Sequence, residues 1–339
     1  MEANTFLFWN WTVVVYLFLA GVSAGAFTVS ALAYLLDRDK YLDIIRTGAY
    51  IAPFPLIVGL ICLIWDLERP WLFWKLVVTL RTTSVMSYGA WLLLIFSGLS
   101  FVYFYLWLPE RFDILQLTRL LPARLRALGL VRLLAPHRAL GRQSLNRFRG
   151  WIGVLGIPVA LLVGIYTGVL LSVVSARPFW NNPMLPMLFL ISALKTGSAS
   201  ISLANLYVSR SGGPRSQGIL TNTLMMLTVD MVLVILSIIT IALFIFGFYT
   251  PATSSGEAAQ PIMGGAYTLL FWGLVIVAGT LFPLAIGLYE TAPHFSKTAR
   301  HHAHKGWLTG AATLAVLAGG FFLRWVVVYA GQATAMISS

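Results

Sequence analysis

The 339-residue chain is predicted to be an all-α integral membrane protein with eight transmembrane helices. Three observations predict this class. Hydrophobic residues make up 59% of the chain and charged residues 10%, against about 45–50% and about 25% in an average soluble domain. The mean hydropathy is +0.84. Apolar stretches of about 20 residues, long enough to cross a bilayer, recur along the whole chain. The same composition excludes disorder, which needs low hydrophobicity and high charge. The runs are continuous rather than alternating, which excludes a transmembrane β-barrel. The 12 Trp, 13 Tyr and 21 Phe supply aromatic belts for two membrane faces.

The spans are expected at 11–36, 47–66, 85–108, 151–175, 183–208, 221–249, 263–290 and 307–332. Loop cations orient them, because Lys and Arg concentrate on the cytoplasmic side. The odd-numbered loops carry three, nine, two and three cations, 17 in all. The even-numbered loops carry four, at Arg69, Lys75, Arg81 and Arg177, and Lys195 and Arg324 fall inside spans. Both termini and loops 2, 4 and 6 are therefore expected outside. The net charge of +12 would suggest nucleic acid in a soluble protein; here membrane topology accounts for it, and no nucleic-acid partner is expected. No basic region precedes the first apolar stretch, which argues against a cleaved signal peptide.

A faint repeat links Leu17-Phe18-Leu19 to Leu188-Phe189-Leu190, and Gly25–Ser30 to Gly197–Ser202. Both copies start outside, so the repeat predicts two four-helix bundles in a parallel 4+4 arrangement. Gly21 and Gly25 in span 1, with Ala20 and Ala24 beside them, suit close helix packing or room for a flat ligand.

The lone cysteine, Cys62, excludes an intrachain disulfide, a structural zinc site and a four-thiolate iron–sulfur cluster. The five histidines, at 137, 294, 301, 302 and 304, are all expected in cytoplasmic loops, so no intramembrane haem is expected. No metal site is expected. Ionisable groups inside spans are costly and therefore functional candidates. Lys195, Asp230, Glu290 and Arg324 are such groups. Either they neutralise one another inside the bundle, or they line a proton or ion path.

At the outer boundary three segments converge. Span 2 ends in Asp66-Leu67-Glu68-Arg69-Pro70, span 3 opens with Ser84-Val85-Met86-Ser87-Tyr88-Gly89-Ala90-Trp91, and span 1 begins after Trp9-Asn10-Trp11. Carboxylates, a guanidinium, a phenol and an amide beside aromatic rings suit a quinone. They equally suit an aromatic belt with polar anchors.

These segments resemble the NrfD-type membrane subunits of polysulfide reductase. The resemblance rests on the Asp-Leu-x-Arg-Pro turn, the Ser-x-Met-Ser-Tyr-Gly-Ala-Trp opening, Tyr16–Ala26 and Arg324–Gln332, and it runs from span 1 to span 8. It implies an integral subunit without haem or iron–sulfur cluster of its own, not catalytic alone. Such a subunit exchanges electrons between membrane quinone, menaquinone or ubiquinone, and a four-cluster iron–sulfur subunit on the periplasmic face of the bacterial inner membrane. A molybdopterin catalytic subunit completes the complex. The implied quinone region falls at Asn10, Asp66, Arg69, Ser87 and Tyr88. The chain then divides into residues 1–108 with spans 1–3 and the quinone region, an Arg-rich cytoplasmic loop at 109–150, span 4 with its outer loop at 151–182, and the second bundle at 183–339. Leu117, Leu120, Leu121, Leu125 and Leu128 in the Arg-rich loop predict a helix lying on anionic lipid. A secondary transporter using Lys195 and Asp230 is the competing expectation, with Pro158, Pro186 and Pro283 as candidate helix breaks. A proton-pumping version of the redox subunit is a third.

Overall fold

The computed structural model describes residues 9–67, 69–79, 81, 84–108, 142–174, 176–210, 216–249, 256–295 and 306–334. Among them there is no strand, and eight helices are long and apolar enough to span a membrane. They are α1 (Trp11–Asp37), α2 (Leu42–Ile51, resuming as Pro53–Trp65), α3 (Val85–Trp107), α4 (Arg142–Ser172), α5 (Leu185–Arg210), α6 (Ser216–Gly247), α7 (Leu270–Leu281, resuming as Phe282–Phe295) and α8 (Gly306–Ala333). Apolar side chains on all sides, rather than on one stripe, keep these helices in hydrocarbon and in the bundle.

Helix α1 is the hub and packs against α2, α4, α5 and α8. In the first half, α1 and α3 each contact both α2 and α4; in the second, α5 and α7 each contact both α6 and α8. The two halves meet where α5 packs against α1, α2 and α4 and α8 packs against α1, with backbone touching backbone where α1 crosses α5. A Cβ on Gly25 would overlap the Ala193 carbonyl, and one on Gly197 would overlap the backbone of Gly25 and Ala26. Only glycine permits that approach, as at other small-residue helix crossings. Gly21 is equally confined, since its Cβ would lie 2.5 Å from Arg324 Nη2. Helix packing and the Arg324 guanidinium therefore fill the space beside Gly21 and Gly25.

Two helices depart from α geometry. Helix α2 is interrupted at Ala52, ahead of Pro53, where Ser23 Oγ donates to the Ala52 carbonyl. Helix α7 begins as a π-helix over Leu270–Leu281, and the Thr280 hydroxyl donates to the Val275 carbonyl five residues back at 2.9 Å. The prolines expected to break helices do not. Pro158 lies within continuous α4, Pro186 is the second residue of α5, and Pro283 follows the π-helical run. A membrane helix absorbs an interior proline when neighbours satisfy the freed backbone.

Several ends shift from their expected places. Helix α2 starts at Leu42 rather than 47, and α7 at Leu270 rather than 263. Helix α4 starts at Arg142, so Arg147 and Arg149 stand on a helix rather than in a loop. Arg149 Nε donates to the Leu106 carbonyl at 2.9 Å, and its guanidinium lies 4.3 Å from the Trp107 ring centroid. His294 sits in the last turn of Phe282–Phe295, beyond the apolar span that ends at Thr291. The other four histidines and the leucines of the Arg-rich loop lie outside the described residues.

Candidate functional site

The site is built on the first turn of α1. Asn10 is the N-cap of that helix, yet its side chain makes no cap hydrogen bond. It donates from Nδ2 to Asp66 Oδ1 at 3.4 Å instead. Thr12, buried at 8% exposure, donates from Oγ1 to the same oxygen at 2.6 Å. Asp66 terminates α2, where its backbone N–H still donates to the Cys62 carbonyl. The carboxylate thus lies against the N-terminus of a 27-residue helix, where the helix dipole favours negative charge.

Beside it, the chain turns through a short 3₁₀ helix at Pro70–Leu72 and a one-turn helix at Trp74–Val78 before α3 begins. These pieces and the first turn of α3 enclose a groove of about 520 Å³. Arg69, Lys75 and Arg81 line it together with Ser84 and Ser87, and Leu67, Leu72, Leu76 and Met86 provide its apolar wall. Ser87 Oγ accepts from the Arg81 backbone N–H at 3.2 Å, which ties the groove wall to α3. Trp65, Trp71 and Trp74 are exposed around this end. Trp151, Tyr207, Tyr289 and Trp307 are exposed at the opposite helix ends. The molecule therefore carries an aromatic belt at each end, the pattern of a membrane-embedded bundle.

Of the five residues expected at the quinone region, the structure brings together Asn10 with Asp66, and Arg69 with Ser87. Tyr88 is exposed and lies outside the groove lining. Sequence reasoning missed Thr12, Lys75 and Arg81. Thr12 stands two residues after Asn10, a spacing that does not itself place both on one helix face, so the sequence carried no signal for it.

The second half holds a different polar feature, arranged along α5. Lys195 is 5% exposed, and its Nζ donates to Ser237 Oγ at 3.1 Å, the Gly279 carbonyl at 3.2 Å and Thr280 Oγ1 at 3.2 Å. Three acceptors match the three donors of an ammonium group, and the π-helical turn of α7 supplies two of them. Arg324 is fully buried between Phe18 and Phe189. It donates to the Leu17 carbonyl at 3.0 Å, Ser192 Oγ at 3.0 Å and the Gly320 carbonyl at 2.8 Å. Its Nη2 has no partner among the described residues. Ser202 Oγ donates to Asp230 Oδ2 at 3.2 Å, and Thr309 Oγ1 to Glu290 Oε1 at 2.9 Å.

Of the two readings of the buried charges, mutual neutralisation of Lys195 and Asp230 by an ion pair is not seen among the described residues, where neither forms one. Ser202 is seven residues along α5 from Lys195, and Asp230 is seven residues along α6 from Ser237. At 1.5 Å per residue, both offsets place the two charges about 10 Å apart in depth. No group of three or more His, Cys, Asp or Glu side chains capable of holding a metal is found among the described residues.

Eight apolar helices, girdled by aromatic residues and carrying a carboxylate–guanidinium site at one end, define a multi-pass membrane protein. The family model described as Polysulphide reductase, NrfD, matches residues 1–336, and the chain belongs to that family. It is 32% identical over 340 residues to Protein NrfD of Escherichia coli (strain K12), covering 97% of this chain and 96% of that protein. It is 31% identical over 337 residues to a polysulfide reductase component of Wolinella succinogenes, covering 98% of this chain and 96% of that protein. A selenate reductase component of Mesobacillus selenatarsenatis is 28% identical over 344 residues, covering 94% of this chain and 73% of the relative.

Proposed function

We propose that this chain is the quinone-reactive membrane subunit of a respiratory oxidoreductase in the bacterial inner membrane, with Asp66 and the adjoining cationic groove as its quinone site. The observation that carries this is the convergence of Asn10 and Thr12 on Asp66 Oδ1 beside a groove holding Arg69 and Ser87. A quinol head needs an acceptor for its hydroxyl protons, which a carboxylate provides. A quinone head needs donors, which Arg69, Lys75 and Arg81 provide. The apolar wall and the exposed tryptophans suit an isoprenoid tail entering from lipid.

Menaquinone or ubiquinone is the substrate. Quinol and quinone interconvert here by exchanging two electrons with an iron–sulfur partner subunit and two protons with the site and its surroundings. A four-cluster iron–sulfur subunit docks over the 66–84 segment on the periplasmic face, and a molybdopterin subunit completes the complex. Both termini lie on that face, as the loop cations favour. The matching neighbour relations of α1–α4 and α5–α8 support a duplicated 4+4 bundle. The depth order Arg324, Lys195, Asp230 along α5 supports a second role, proton movement between the quinone site and Glu290 at the far end of α7.

The test is a density map of the chain with a bound quinol analogue. The head group is expected within hydrogen-bonding distance of Asp66 or Arg69. A head group bound only at the opposite helix ends would overturn the assignment.

A further inference from the structure

We propose that Thr12 is a positioning residue for Asp66, fixing the carboxylate as the hydrogen-bond acceptor for a quinol hydroxyl; this rests on the quinone assignment above. An aspartate at the end of a helix, half-exposed at a membrane boundary, turns freely about its last side-chain bond. Here two donors land on one oxygen, Oδ1, from residues two apart on the first turn of α1. The shorter bond, 2.6 Å, is in the range of charge-assisted O–H···O⁻ bonds, which are about twice as strong as neutral ones. Asn10 at 3.4 Å contributes the weaker hold. Thr12 is nearly buried and Asp66 is not, so the donor is the fixed member of the pair. An ionised carboxylate accepts through both of its oxygens. With Oδ1 held by Thr12 and Asn10, Oδ2 is the oxygen left to a ligand hydroxyl. Thr12 therefore sets the plane of the carboxylate, and with it the direction in which Oδ2 accepts, without touching the ligand.

The experiment measures binding of a fluorescent hydroxyquinoline N-oxide, a quinol mimic with one hydroxyl donor, to the full chain in nanodiscs. Its O-methyl ether, which keeps the ring and loses the donor, is titrated in parallel. Thr12→Val is expected to weaken the mimic about tenfold, or 1.4 kcal/mol, with the ether unchanged. Thr12→Ser keeps the hydroxyl and is expected to stay within about twofold of the parent. Asp66→Asn is expected to lose at least as much as Thr12→Val. The double variant is expected to be no weaker than Asp66→Asn alone, because the two residues act as one unit. If Thr12→Val does not fold, Thr12→Ala takes its place in the same comparison. Parent-like binding by Thr12→Val beside weakened Asp66→Asn would overturn the role of Thr12 and leave the quinone site standing. Equal loss in Thr12→Ser and Thr12→Val would show packing alone and overturn it too. Parent-like binding by Asp66→Asn would remove the quinone assignment itself.

Discussion

The two halves of the molecule share a neighbour pattern and divide their chemistry. In α1–α4 the polar groups gather at one end, with Asn10 and Thr12 on Asp66 and, next along the chain, the groove lined by Arg69, Lys75 and Arg81. In α5–α8 they sit at successive depths along one helix, with Lys195 and Arg324 almost wholly buried. The first arrangement is reachable from outside and keeps its cations hydrated. The second is closed, and each cation is held by neutral oxygens rather than by a carboxylate. A shared frame thus carries charge in two ways: exposed at the rim of one half, and buried among neutral oxygens in the other.

The largest effect expected is on the contact that joins the halves. Gly25→Leu places a side chain into the backbone of α5, and loss of folded protein is expected in detergent gel filtration, a cost above about 4 kcal/mol. Gly98→Ala is the control, since nothing lies within 4 Å of that position, and it is expected to elute as the parent does. Normal folding of Gly25→Leu would separate the halves and break the comparison.

Intermediate effects are expected in the closed half. A charge at the bilayer centre costs about 2.5–3.5 kcal/mol on insertion scales, which makes Lys195 and Asp230 candidates for a functional role. Lys195→Met and Asp230→Asn are expected to reduce proton uptake by liposomes carrying the respiratory complex, with quinol binding unchanged. If both variants fold, turn over normally and keep the parent proton stoichiometry, the buried charges are packing devices only. The smallest effect is expected at the rim. Lys75→Ala and Arg81→Ala should each weaken the quinol mimic about two- to threefold at low salt. The difference should shrink at high salt, because exposed charges are screened within about 10 Å at 0.1 M.

How much of this was legible in the sequence varies by element. Eight spans follow from apolar length alone, and Asp66 and Asn10 could be paired because both lie at span ends on one face. Thr12 was hidden because a threonine in an apolar helix reads as filler until its partner is placed across the bundle. Lys195 and Asp230 appeared as a pair because each is a lone charge in its own span. Their depths become comparable only once Ser202 and Ser237 show how α5 and α6 are registered. The start of α4 was misplaced because Arg147 and Arg149 read as loop. Arg149 is helical because the Leu106 carbonyl and the Trp107 ring hold its head while its stem lies along the bundle.

The glycine crossing of α1 and α5 also limits how this molecule can move. Alternating-access machines rock one bundle against another around a fixed site. At Gly25 and Gly197 backbone faces backbone, and there is no rotamer to change. A Cβ added at either position would overlap the backbone of the facing helix. The α1–α5 crossing is therefore held by backbone contact, with no side chain between the two helices at those glycines.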